Sequence, residues 1–217
     1  MTRVWATIGH QLRYPSGPAG TILGCLMSLA NRESNRIAVD ALRITPHDTV
    51  LELGFGPGRA IKMLAARAPH GLVLGIDHSA AMFAQASLHN RRAIRQGLVR
   101  LVLGRFDALP WRANSIDKIL AVHVVYFASV FAIREARRAL RQNGSIAIIA
   151  VDKCAMARWK FTQFSTHTIF DSADLAALLG RAGFSTCEIA IQRIALPFGI
   201  PGLLAIATKF KAADILY

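Results

Sequence analysis

The stretch VLELGFGPGRAI, Val50 to Ile61, constrains this chain more than any other. Val50, Leu51 and Leu53 read as the end of a buried strand and Arg59 onward, RAIKMLAARA, as a helix, leaving Gly54, Gly56 and Gly58 in the turn between. Alternate glycines let backbone approach a ligand closely. The chain is therefore expected to hold a small molecule where a strand feeds a helix.

From Thr49 onward, short β-like runs alternate with helical patterns, which argues for a mostly parallel sheet covered by helices on both faces. The strand candidates are TVLEL, GLVLGID, LVRLVLG, SIDKILAV and SIAIIAV. After the helix SADLAALLGRAG come FSTCEIAI and GLLAIATKF, read as a hairpin at one edge, for seven strands in all. The predicted fold is α/β, a Rossmann-like, doubly wound, seven-stranded, mostly parallel sheet. With 217 residues, 53% of them hydrophobic, the chain can bury one substantial core, so 1–217 is read as a single domain. Residues 49–217 form its core and 1–48 an N-terminal helical cap, with helical patterns around WATIGHQLR and NRESNRIAVDALR joined by the loop YPSGPAG. Ligands of an open sheet bind beyond the carboxyl ends of the strands, an edge this cap can close over.

Three cysteines, Cys25, Cys154 and Cys187, lie far apart and are odd in number, giving neither a metal-ligand spacing nor a disulfide framework. No metal is expected, and a reducing cytoplasm is the simplest location. The apolar GTILGCLMSLA behind Arg3 and Arg13 has the length of a signal-peptide core. Pro15, Gly17 and Pro18 suit a loop leading into a buried helix instead, the reading preferred here, and no segment approaches the length of a membrane span. The formal net charge of +13 raises nucleic acid or an anionic membrane as partners. Yet the arginines are spread along the chain, and Arg134, Arg137, Arg138 and Arg141 recur at helical spacing, as on a solvated face. Nucleic acid is disfavoured, peripheral membrane contact stays open, and a small-molecule acceptor is the expected partner.

A dinucleotide fingerprint reads G-x-G-x-x-G, whereas this turn reads G-x-G-x-G with Arg59 in place of the third glycine. Asp77, ending the second strand candidate, suits ribose hydroxyls in either case. VLELGFGPG is followed in order by GIDHSAAMFAQA, LPWRANSIDKILAVHVVYF, RQNGSIAIIA and LLGRAGF. With these segments the chain resembles the class I S-adenosylmethionine-dependent methyltransferases over roughly four fifths of its length. Its QLRYPSG also looks like the lead-in of a bacterial small-molecule branch similar to the quinone C-methyltransferases.

The resemblance implies S-adenosyl-L-methionine as cofactor and S-adenosyl-L-homocysteine as product. It implies Glu52, Gly54, Gly56 and Gly58 around the methionine part, Asp77 at the ribose and Met82 near one face of the adenine; Phe55, His78, Val122 and His123 complete the expected set. Relatives usually end the third strand in Gly-Asp-Ala, whose carboxylate meets the adenine amino group; this chain has Gly104, Arg105 and Phe106. Guanidinium cannot accept that hydrogen bond. Either Phe106 covers the base while backbone atoms read its edge, or Asp107 substitutes.

Methyl transfer is an in-line displacement, so positioning and exclusion of water matter most. His123, in AVHVVYF at the expected methyl position, is a candidate general base, with a neutral pocket wall as the alternative. Neither the Asn-Pro-Pro-Tyr type of motif of amide and base N-methyltransferases nor a cluster of carboxylates for a metal-assisted catechol site is present. The segment CAMARWKFTQFSTHTIF supplies Trp159, Phe161, Phe164, His167 and Phe170. Tyr14, Tyr126, Trp159, Phe164 and His167 are the expected acceptor pocket, with packing of a buried helix as the alternative. The resulting expectation is an enzyme methylating O, N or C of a small, hydrophobic or aromatic metabolite. Its rivals are an RNA methyltransferase, a phospholipid-headgroup methyltransferase at an anionic membrane, and a non-catalytic protein that keeps the fold.

Overall fold

The computed structural model describes residues 2–164 and 167–210, so residues 165 and 166 of the aromatic stretch and residue 1 of the cap lie outside the described residues. The strands are β1 (Thr49–Leu53), β2 (Leu72–Asp77), β3 (Val99–Leu103), β4 (Ile116–Val122), β5 (Leu140–Val151), β6 (Ile189–Leu196) and β7 (Ile200–Thr208). They form one seven-stranded sheet in the order β3-β2-β1-β4-β5-β7-β6. β1 to β5 pair in parallel, and β7 runs antiparallel between β5 and β6. The expected strand count and edge hairpin are both present. Covered on both faces, the central strands read as near-continuous apolar runs, and Ile146 to Ala150 of β5 are fully buried.

The helices are α1 (Thr2–Arg13), α2 (Gly17–Ala30), α3 (Arg32–Ala41), α4 (Arg59–Arg67), α5 (Ala80–His89), α6 (Arg91–Arg95), α7 (Val130–Ala139), α8 (Lys153–Met156) and α9 (Ser172–Arg181). α3 and α4 pack together on one layer and α7 and α9 on another. The chain steps outward from β1 to β2 and β3, then returns to start again at β4 on the other side of β1. Right-handed crossovers then place the two helix groups on opposite faces and open a crevice where the order reverses, beyond β1 and β4.

Four expectations are corrected. The YPSGPAG stretch is not a long loop: Gly17 opens α2 with a proline in its first turn, so only residues 14–16 connect it to α1. The apolar GTILGCLMSLA is helical but not buried throughout, since Ile22, Leu26 and Leu29 face solvent. α3, expected as part of the cap, packs against β4 and β5 as a core helix, leaving α1 and α2 as the cover. In FSTCEIAI, Thr186–Glu188 is a turn of 3-10 helix, because Glu188 reaches back to the Ser185 N–H (2.8 Å) and closes a capping box; the strand starts only at Ile189.

Candidate active site

The crevice at the reversal is a concave cleft open on one side. Its floor is the glycine turn. Gly54 has φ 66, and a Cβ there would collide with Val124 Cγ1, so only glycine lets the end of β1 pass the end of β4. At Gly56, φ 49, a Cβ would meet nothing within 4 Å, because the residue faces the open cleft. Gly58 does not line the cleft; a Cβ there would meet Asn90 Nδ2 at 2.6 Å and Ala86 Cβ at 2.7 Å. Asn90 and His89 clamp the turn from below: Asn90 Nδ2 donates to the Gly58 carbonyl (3.0 Å), and His89 Nδ1 bonds the Pro57 carbonyl (2.8 Å).

Two carboxylates face this turn. Asp77 accepts from the Gly56 N–H (2.9 Å) on one oxygen and from the Ser79 N–H (2.9 Å) on the other, and each oxygen keeps acceptor capacity. Burial pushes its pKa up against those two bonds. Glu52 is buried in β1, the Ile61 N–H bonds its carboxylate, and its Oε2 has no partner among the described residues. Burial first, and then the neighbouring Asp77 carboxylate, push the Glu52 pKa well above the usual range. A buried acceptor without a partner costs stability unless a ligand supplies a donor.

Phe55, His78, Met82, Phe106, Val122 and His123 all line this cleft with Glu52 and Asp77. Asp107 does not. Its carboxylate is held by Arg105, through Nε (3.0 Å) and Nη2 (2.7 Å), which also draws its pKa down, and both residues line a shallow depression that adjoins the cleft and shares Arg13, His78, Phe106 and Phe127 with it. Of the two adenine alternatives, only Phe106 has its side chain in the cleft. The cap closes the opposite wall: His78 Nε2 bonds the Arg13 carbonyl (2.8 Å), and Ser79 Oγ donates to the Pro15 carbonyl (2.6 Å).

His123, with φ 57, turns the end of β4 between this cleft and a second cavity. Tyr126, Trp159, Phe161 and His167 line that cavity with Leu12, Met27, Phe127 and Met156. The rings of Phe127 and Phe161 stand 4.8 and 5.4 Å from His167. Tyr14 and Phe164 are not brought in; Tyr14 stands in the shallow depression with its ring 5.0 Å from His78. Both nitrogens of His123 are engaged. The Tyr126 hydroxyl accepts from the Val151 N–H (2.5 Å), which leaves its proton for His123 Nδ1 (3.2 Å); Nε2 then carries the ring proton toward Ser34 Oγ (3.1 Å). Burial lowers the His123 pKa to about 4, so the ring is neutral at pH 7.

Sequence reasoning missed Asn31, Ser34 and Asn35, which bring α3 to the two cavities. With Ala38 and Val39 they occupy one helical face, and polar residues on a stripe that should be apolar were the available signal.

The described residues contain no group of His, Cys, Asp and Glu able to hold a metal ion, and no described helix is long and apolar enough to cross a membrane. A family model for a methyltransferase domain matches residues 51–148. The uncharacterized methyltransferase YdaC of Bacillus subtilis (strain 168) is 31% identical over 195 residues, which cover 88% of this chain and 99% of that protein. In the complex between the Haloferax volcanii Trm112 methyltransferase activator and a methyltransferase, one chain superposes with a TM-score of 0.77 at 18% identity, covering 89% of this chain and 95% of that one. A SAM-dependent methyltransferase from Aquifex aeolicus gives 0.66 at 16%, covering 93% and 98%.

Proposed function

Because the chain belongs to the class I S-adenosylmethionine-dependent methyltransferases, we propose that it methylates a small, neutral, largely apolar acceptor held in the cavity of Phe127, Trp159 and Phe161. The observation that carries the cofactor's placement is Glu52 Oε2, a buried carboxylate oxygen without a partner over a glycine-lined cleft. An ammonium group, such as the one on the methionine part of the cofactor, is the donor it needs. Asp77 has acceptor capacity left for two ribose hydroxyls, and Phe106 offers an apolar face to the base. When bound there, the cofactor would supply an electrophilic sulfonium methyl group to a lone pair of the acceptor.

The chain's own residues position and enclose. His123, neutral and bonded on both sides, holds the wall between the cavities; a ring with a pKa of about 4 gives little drive to remove a proton. The acceptor atom therefore arrives already nucleophilic without an added base, as the lone pair of a neutral amine or the electron-rich carbon of an activated ring. The electron-rich ring of a reduced quinone, the branch suggested by QLRYPSG, is one acceptor of that kind. Among the described residues the acceptor cavity is lined by no Lys, Arg, Asp or Glu, so a phosphodiester of RNA or of a lipid headgroup finds no charged partner there.

Calorimetry with S-adenosylhomocysteine tests the carrying observation. Affinity should rise with pH as Glu52 ionises, and Glu52→Gln should flatten that rise; a parallel slope in the variant would remove Glu52 from the contact. For the acceptor, labelled-methyl transfer is compared between neutral phenols, thiols and amines on one side and nucleoside phosphates on the other. Transfer to the phosphates in preference would overturn the reading.

A further inference from the structure

On α2, Ile22, Leu26 and Leu29 recur at i, i+4 and i+7 and are 63%, 59% and 67% exposed. Beyond them, at the tip joining β6 to β7, Phe198 is 96% exposed with φ 61, a left-handed backbone that a bulky residue adopts rarely and here without any packing in return. Leu26, Leu29 and Phe198 line one groove, and Arg32, Arg36, Arg59 and Lys62 line it with them. The one carboxylate among its described lining residues, Glu33, is bonded by Arg36 Nη2 at 2.6 Å. Ala30, Pro197 and Phe198 belong both to this groove and to the acceptor cavity, so the groove is the cavity's outer mouth.

We propose that the α2 stripe and the Phe198 tip dock on an anionic lipid bilayer, from which an apolar acceptor passes between Ala30 and Phe198 into the cavity; this second step rests on the function proposed above. An exposed apolar stripe flanked by Arg and Lys is the arrangement that seats a helix at the headgroup boundary, and each basic residue near an anionic surface adds attraction. A second copy of the chain is the poorer occupant, because it would bring two basic rims together in a protein whose formal net charge is +13. The cavity beyond is apolar, so the lipid serves as the surface and solvent of the acceptor and not as the acceptor itself.

The test is co-sedimentation of the full chain with vesicles of equimolar phosphatidylglycerol and phosphatidylcholine, against phosphatidylcholine alone. Binding should require the anionic lipid and weaken as salt rises. Leu26→Ser with Leu29→Ser, and separately Phe198→Ser, should lower partitioning about tenfold, while Phe131→Ser, which removes an exposed aromatic on α7, should not. Arg32→Glu with Lys62→Glu should lower it further than Arg91→Glu with Arg92→Glu, the same charge change on α6. Calorimetry with S-adenosylhomocysteine confirms that each variant is folded. Loss of cofactor binding in the unmodified chain with vesicle binding intact would sink the function and spare the docking surface. Equal effects of the two charge pairs, no binding to anionic vesicles, or a dimer abolished by Phe198→Ser would each overturn the proposal.

Discussion

The cleft of Glu52 and Asp77 and the cavity of Trp159 meet at His123, yet they are made in opposite ways. The floor of the cleft comes from one strand–turn–helix unit and the end of the next strand, with backbone N–H groups and two carboxylates as its working parts. The cavity gathers side chains from α1, α2, α3, the turn after β4, the stretch after β5 and the β6–β7 tip, and among the described residues it has no charged group in its lining. A shared cofactor can be read by local backbone geometry, while an apolar acceptor demands a shape that only remote segments can enclose. The two sides also respond oppositely to acid. Glu52, with its pKa raised by burial, opposes folding as pH rises above 4.5, whereas His123 opposes it as pH falls below 6.5.

The sharpest break in the comparison comes from Gly56→Val. A Cβ there meets nothing in the protein, so packing survives, but a branched side chain stands in the cleft on a left-handed backbone. Binding of S-adenosylhomocysteine should be lost in calorimetry while the thermal transition persists; normal binding would move the cofactor elsewhere. Next in size is the acid limb of stability. His123 binds its proton at about 4 in the folded chain against 6.5 unfolded, so its contribution is complete above pH 6.5 and disappears as pH falls toward 4. The loss is up to about 3 kcal/mol, which urea unfolding across that window should show and His123→Gln should reduce. Asp77→Ala follows, weakening S-adenosylhomocysteine by about 1.5 to 3 kcal/mol, the range for hydrogen bonds to charged groups. The smallest effect belongs to Asp107→Ala, which should leave that affinity unmoved, because the carboxylate faces Arg105 and solvent.

The legible part of the molecule follows the same division. Val50 to Ile61 is one contiguous signal, and alternation of strand and helix patterns sufficed for the sheet. Gly58 belongs to the same motif but packs on α5, since spacing alone does not separate a glycine that admits a ligand from one that admits a helix. Ser34 meets His123 across 89 positions, a pairing that no local pattern encodes. Tyr14 and Phe164 show the converse: being aromatic and near the right segment does not fix which way a side chain faces. The capping box at Ser185 was present in the letters, and the apolar character of the run around it concealed it.

The clasp between the cap and the end of β2 has a consequence in time. The Arg13 and Pro15 carbonyls are bonded by His78 and Ser79, the two residues directly after Asp77, and both cap residues line the cleft. While that clasp holds, a molecule seated below it is covered on the cap side and leaves only through the cleft's open side; opening of the clasp would add a second exit and speed release.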